Sequence, residues 1–174
     1  MNYPTREQCL KWYRDIGTPE NILDHVALVN KVAVFLAKKL KEKGVKINIE
    51  LVDKASLLHD LDKWFCINDK SVRHGFKTEE ILTEKGYSEL GFYAKQHNSI
   101  QSKTWEEKVI SYSDARVLFT KIVPVQDRID SSKKRYKREE GFWDKALESL
   151  LEKEKIIFSK LAIKPDKLAE YFEK

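Results

Sequence analysis

Two ionisable residues lie on predicted helical faces whose other residues are apolar. One long predicted helix has an apolar stripe made of Val29, Val32, Leu36 and Leu40. Extending that stripe back by one turn reaches His25. On another helix, Asp114 lies between Ile110 and Val117 at the same three- and four-residue steps. Because a buried carboxylate is costly unless it is paired or bound to a cation, Asp114 needs such a partner.

Other residues of metal-ligand type end apolar helices. Leu90 and Ala94 lead to His97 by helical steps, and the run Ala-Ser-Leu-Leu continues directly into His59-Asp60. A lone histidine on an apolar face is more often a hydrogen-bonded core residue, and a His-Asp pair alone occurs by chance in many chains. All four histidines of the chain fit one constellation, however, so a shared metal ion is the simplest common explanation.

A series of helices must position these residues. Thr18 is predicted as the N-cap of the second helix and Pro19 as its first residue. Thr104 and Glu107 form a capping box that begins the helix carrying Asp114. The second helix spans 19–43, the others span 5–15, 48–59, 74–86, 88–97, 125–137 and 142–161, and a short one begins at Pro165. The chain has no long run of alternating apolar residues, so no sheet is required.

Length and composition suit a single all-α domain. The 174 residues are 41% apolar and 35% charged. Residues 1–174 are predicted as one domain in which the helices of 118–174 pack on the preceding core. The formal charge of +5 favours anionic partners. Without an apolar run long enough for a membrane helix, without a secretory signal in Met1–Leu10, and with only the isolated Cys9 and Cys66, we expect a cytoplasmic protein.

The order of the candidate ligands resembles the signature of the HD superfamily of metal-dependent phosphohydrolases: an isolated histidine, a later His-Asp pair and a distant aspartate. His25 stands in Asp-His-Val-Ala-Leu-Val, His59-Asp60 in Ala-Ser-Leu-Leu-His-Asp-Leu-Asp-Lys, and Asp114 in Ser-Tyr-Ser-Asp-Ala-Arg. The resemblance covers residues 22–117 and implies an HD-type helical bundle with its metal-binding core there. It further implies one or two divalent ions between the helices and hydrolysis of phosphate mono- or diesters, often of nucleotides.

One branch of this family carries the motif His-Asp-Ile-Gly-Lys. The chain keeps its lysine as Lys63 but has Asp62 at the glycine position. This departure, together with the lack of further signature residues, argues against the branch that cleaves cyclic dinucleotides. Asp62 itself is predicted to be a solvated turn residue.

The number of candidate ligands bears on the number of metal ions. Four residues could bind one ion: His25, His59, Asp60 and Asp114. Octahedral geometry would leave two positions open, which His74 and His97 cannot both fill without stopping hydrolysis. These two histidines resemble the residues that hold a second metal in dinuclear members of the family, where Asp60 would be the bridge; alternatively, they contact a substrate phosphate. Imidazole with carboxylate suits Fe, Mn, Co, Ni or Zn better than Mg.

The hypothesis for catalysis is attack on phosphorus by a metal-activated water, in line with the leaving oxygen. Asp60 would bind the metal and orient the attacking oxygen, and Lys63 would stabilise the developing negative charge. Arg116 and Arg128 are candidate contacts to the substrate phosphate, although each could equally be a salt-bridged helix residue. The expected substrate is a small phosphorylated molecule such as a nucleotide.

The sequence also suggests functions of other classes. A catalytically silent nucleotide-sensing module would bind through this site without turnover. A structural metal site is disfavoured, since structural zinc sites are typically cysteine-rich. The basic run Lys133–Arg138 could contact a nucleic-acid backbone, but Glu139 and Glu140 follow it at once. A solvated helix face is the favoured interpretation of that run, and neither nucleic acid nor a membrane is an expected partner.

Overall fold

The computed structural model describes residues 3–172 and confirms an all-α fold for them. Their nine α-helices are α1 (Arg6–Ile16), α2 (Glu20–Glu42), α3 (Ile49–Leu58), α4 (Lys63–Asn68), α5 (Phe76–Glu84), α6 (Ser88–Lys95), α7 (Trp105–Ala115), α8 (Val125–Arg135) and α9 (Phe142–Phe158). The 3-10 turns are Gln96–Asn98, Pro165–Lys167 and Ala169–Tyr171. A short antiparallel hairpin, β1 (Val117–Leu118) and β2 (Lys121–Ile122), joins α7 to α8.

Helix α2 lies against both α3 and α7 and contributes the largest number of buried residues of any described helix. The predicted apolar stripe is fully buried, and its members are Val29, Val32, Leu36 and Leu40. Burying one such side chain contributes about 1.5–3 kcal/mol relative to leaving it exposed. The stripe therefore fixes the rotation of α2 about its axis, and this rotation turns His25 towards α7.

Two predicted helix caps have different outcomes. The capping box is confirmed, because Thr104 Oγ1 accepts from the Glu107 N–H at 3.2 Å and Glu107 Oε2 accepts from the Thr104 N–H at 2.7 Å. The capping role of Thr18 is wrong, since Pro19 is the N-cap and α2 begins at Glu20. The Thr18 N–H instead donates to the Tyr13 carbonyl at 3.0 Å and completes the end of α1.

Helix α4 and the hairpin were not predicted from the sequence. Helix α4 has six residues and none of them is buried, so it shows no apolar periodicity. Each strand of the hairpin has two residues, which is too short for an alternating pattern. Both elements nevertheless border the candidate site, since α4 begins at Lys63 and the hairpin follows Asp114 closely.

The C-terminal helices α8 and α9 pack against each other and against α7. Helix α7 therefore packs against α2, α3 and both C-terminal helices. Both cysteines are free, with Cys9 buried and Cys66 partly exposed. Over residues 3–172, each helix is too short or too polar to cross a membrane.

Candidate metal centre

One half of the candidate site is formed by three residues from different helices. His25 lies in the second turn of α2, His59 caps the C-terminal end of α3, and Asp114 lies in the last turn of α7. Asp114 Oδ1 is 3.1 Å from His25 Nε2 and 3.7 Å from His59 Nε2. One ligand atom from each residue lies within 4.8 Å of the others, so the three could hold one cation.

The other half is formed by Asp60, His74 and His97. Asp60 follows the C-cap residue of α3, His74 precedes α5, and His97 lies in the 3-10 turn after α6. Asp60 Oδ1 is 3.1 Å from His74 Nε2 and 3.9 Å from His97 Nε2. The two imidazole Nε2 atoms are 3.1 Å apart. These three residues also meet the geometric requirement for holding a cation.

The carboxylate of Asp60 lies between the two halves. Its Oδ2 is 3.8 Å from His59 Nε2, while its Oδ1 approaches His74. The structure thus brings together all six predicted ligand residues, three of them around Asp114 and three around Asp60. A carboxylate with one oxygen towards each group has the placement that a bridging ligand requires.

The four histidine rings are all held through Nδ1. The acceptors are Phe119 O for His25 (3.2 Å), Ser56 O for His59 (2.8 Å), Asp62 Oδ1 for His74 (2.6 Å) and Ala94 O for His97 (2.7 Å). Because carbonyl and carboxylate oxygens only accept, each Nδ1 carries a proton and donates it to its partner, and the Nε2 of each ring faces the centre. Histidines that bind metals are held in this way in proteins.

Two features of the Nε2 atoms that face the centre favour a bound cation. Among the described residues, His59 Nε2 is buried and has no hydrogen-bond partner. Leaving a buried polar group unpaired costs about 1–3 kcal/mol. His74 Nε2 and His97 Nε2 face each other at 3.1 Å, where two lone pairs repel unless a proton or a cation lies between them. Four imidazoles with two carboxylates form a donor set suited to a divalent transition metal.

Neighbouring cations keep the two central carboxylates ionised. Burial alone would raise the pKa of Asp60, but the Lys63 ammonium, 3.8 Å from Oδ1, and His59 hold it well below its usual range. Burial is likewise outweighed at Asp114, where Arg128 Nη2 lies 3.5 Å from Oδ1 and holds the pKa of that carboxyl well down. Both groups therefore have the charged form that a metal ligand must take.

The surroundings of each histidine determine whether its pKa is raised or lowered. Burial, followed by the nearby rings of His74 and His59, lowers the pKa of His97 to about 3. Burial also opposes a charge on His59, but the Asp60 and Asp114 carboxylates outweigh it and raise the pKa of that ring. His97 is thus neutral at physiological pH, and the carboxylates that attract a proton to His59 would equally attract a metal cation.

Asp62 is fully buried, so its prediction as a solvated turn residue is wrong. Its Oδ2 accepts from the backbone N–H of Gly75 at 2.6 Å and of Thr78 at 3.2 Å, and its Oδ1 accepts from His74 Nδ1 at 2.6 Å. The Asp62 carboxylate therefore caps the N-terminus of α5 and orients a candidate ligand at the same time.

The structure does not bring Arg116 to the candidate site. Arg116 is 3% exposed, its Nε donates to Val123 O at 2.6 Å, and its Nη2 donates to Pro165 O at 3.0 Å. Its Nη1 donates to the Tyr112 hydroxyl. These contacts tie α7 to the hairpin and to the C-terminal turns. Since Arg116 Nη1 also lies 3.4 Å from Glu154 Oε2, they fit the alternative of a salt-bridged helix residue. Among the predicted phosphate contacts, Lys63 and Arg128 do border the site.

Comparison with known proteins finds a relative of similar sequence. It is 30% identical over 134 residues to an uncharacterized protein of Methanocaldococcus jannaschii, MJ0778, and the match covers 67% of this chain and 78% of that relative. No family model matches the chain. No solved structure matches it. From the extent of this identity, the chain belongs to the same family as the Methanocaldococcus jannaschii protein.

Proposed function

We propose that this chain is a metal-dependent phosphohydrolase of the HD type, cleaving a phosphate mono- or diester of a nucleotide. The observation that carries the proposal is the common orientation of the four histidines. Each is fixed through Nδ1 and directs Nε2 towards Asp60 or Asp114. One of these nitrogens, His59 Nε2, is buried without a hydrogen-bond partner among the described residues, and the shared orientation is the one that a metal site requires.

The geometry supports a centre with two halves. His25, His59 and Asp114 would hold one ion, His74 and His97 would hold a second, and Asp60 would connect them. A divalent transition metal bound there would activate a water for attack on phosphorus and neutralise charge on the phosphoryl oxygens. The sequence resemblance to the HD superfamily and the observed cluster point to the same residues.

The chain itself supplies two cations for binding and orienting a phosphate. Lys63 lies at the first turn of α4 with its ammonium beside Asp60, and Arg128 lies in α8 with its guanidinium beside Asp114. A phosphate ester between these side chains would have its charge balanced from two directions. Lys63 acts as a point charge, whereas the planar guanidinium of Arg128 can donate two parallel hydrogen bonds.

The test is a screen of purified protein loaded in turn with Mn, Fe, Co, Ni and Zn. The substrates are nucleoside mono-, di- and cyclic phosphates and dinucleoside polyphosphates. We expect at least one pair of metal and substrate to give turnover that a chelator abolishes and that the same metal restores. Nucleotide binding to the metal-loaded protein with no turnover of any substrate would instead favour the silent sensing module.

A further inference from the structure

The turn of the hairpin places a phenylalanine where glycine is the usual residue. Leu118 pairs with Lys121, so the loop consists of Phe119 and Thr120 alone. Phe119 has φ of 56°, and it is the one residue other than glycine with positive φ among residues 3–172. Two-residue hairpin loops with positive φ at the first position prefer glycine, because a side chain there is strained. The presence of a phenylalanine therefore needs a reason.

Neither core packing nor the backbone of this residue explains the ring. Phe119 is 66% exposed, so little of its side chain is buried in the core. Its carbonyl accepts the hydrogen bond from His25 Nδ1, but glycine would provide the same carbonyl. What distinguishes phenylalanine from glycine here is an aromatic face held at the edge of the candidate site.

A cation lies over this aromatic ring and connects it to the candidate site. The guanidinium carbon of Arg135 is 5.7 Å from the Phe119 ring centroid and 5.3 Å from the Tyr136 ring centroid. Arg128 and Arg135 are seven residues apart on α8 and therefore share one helical face. Arg128 contacts Asp114, so this face of α8 runs from the candidate metal ligands to the Phe119 ring.

We propose that Phe119 is a specificity-determining residue, whose ring, supported by Arg135, stacks on a planar aromatic group attached to the substrate phosphate. This inference rests on the proposed function and extends it. Only the imidazole of His25 and one peptide unit separate the inward-facing Nε2 from the Phe119 side chain. A nucleobase would reach the ring while its phosphate lies near Lys63 and Arg128. Aromatic and guanidinium faces bind bases by stacking, with little discrimination among them.

Binding of AMP and of ribose 5-phosphate tests this inference, because the two probes differ by the base. Calorimetry with the metal-loaded wild type is expected to give a roughly tenfold preference for AMP, within the range of base–aromatic stacking. Phe119→Gly and Phe119→Leu should bring the ratio close to one, and Phe119→Trp should keep it. Phe119→Leu retains the Cβ and the apolar volume, so it separates loss of the aromatic face from a change in the turn. The control is Phe92→Ala, since Phe92 is exposed on α6.

The outcomes separate this inference from the proposed function. An AMP preference that is unchanged in Phe119→Leu, or no preference in the wild type, overturns the role of Phe119 whether or not phosphate esters are hydrolysed. A preference lost in both variants, with metal content equal to the wild type, supports it. If that loss is found but neither probe nor any other ester is hydrolysed, the stacking subsite stands and the phosphohydrolase proposal fails.

Discussion

Replacing Asp60 with asparagine is expected to lower phosphate-ester hydrolysis by roughly 10³-fold, the scale of losing one preorganised electrostatic group. The physical reason is the position of this carboxylate between His59 and His74, where each oxygen faces a different half of the site. Asparagine keeps the shape but loses the charge, so it cannot balance a cation in either half. Initial rates with the best metal and substrate, measured for both proteins, check this result.

The Asp60→Asn variant should remain folded. A matched variant at an exposed aspartate tests whether loss of any carboxylate lowers the rate of hydrolysis. Asp166 is exposed in the turn that begins at Pro165, so Asp166→Asn is expected to keep the wild-type rate. Activity of Asp60→Asn within about twofold of the wild type, with circular dichroism unchanged, would contradict the assignment of Asp60 to the reacting centre.

Replacing Asp62 with alanine is expected to destabilise the fold by about 2–4 kcal/mol, because buried donors lose their acceptor. The Gly75 and Thr78 N–H groups at the start of α5 would be left unpaired, and the His74 ring would lose the bond that orients it. Urea unfolding followed by circular dichroism measures the free energy of unfolding. The same variant should retain less metal than the wild type after dialysis, since one histidine is no longer fixed.

Two further variants test whether the loss of stability comes from the buried position of Asp62. Asp62→Asn keeps one acceptor oxygen and should lose less stability than Asp62→Ala. Asp69 also accepts a bond from a backbone N–H, that of Ser71 at 2.8 Å, but it is exposed. Asp69→Ala should therefore cost less than about 1 kcal/mol. Equal unfolding free energies for Asp62→Ala and Asp69→Ala would contradict a capping role for the buried carboxylate.

Periodicity in the sequence was informative where a ligand lies on a long apolar face. The α2 stripe predicted an inward position for His25, and the α7 pattern did the same for Asp114. The capping box at Thr104 fixed the start of α7 and hence the helical position of Asp114. In these cases the signal is local, since residues within one helix determine which side faces the core.

The features that the sequence did not predict depend on contacts between distant segments. Asp62 is buried because it meets α5, 13 to 16 residues later in the chain. The Phe119 carbonyl contacts His25, which lies 94 residues earlier in the chain, and no local sequence pattern predicts that contact.

The metal content of the purified protein shows whether the four histidines and two aspartates form a metal centre. Wild type and Asp60→Asn are equilibrated with each of Mn, Fe, Co, Ni and Zn, passed through a desalting column, and analysed by inductively coupled plasma mass spectrometry. The convergence of four Nε2 atoms on two carboxylates predicts at least one tightly held ion per wild-type chain, and less metal in Asp60→Asn. A wild-type protein that retains none of the five metals above the buffer level would rule out a metal centre at these residues.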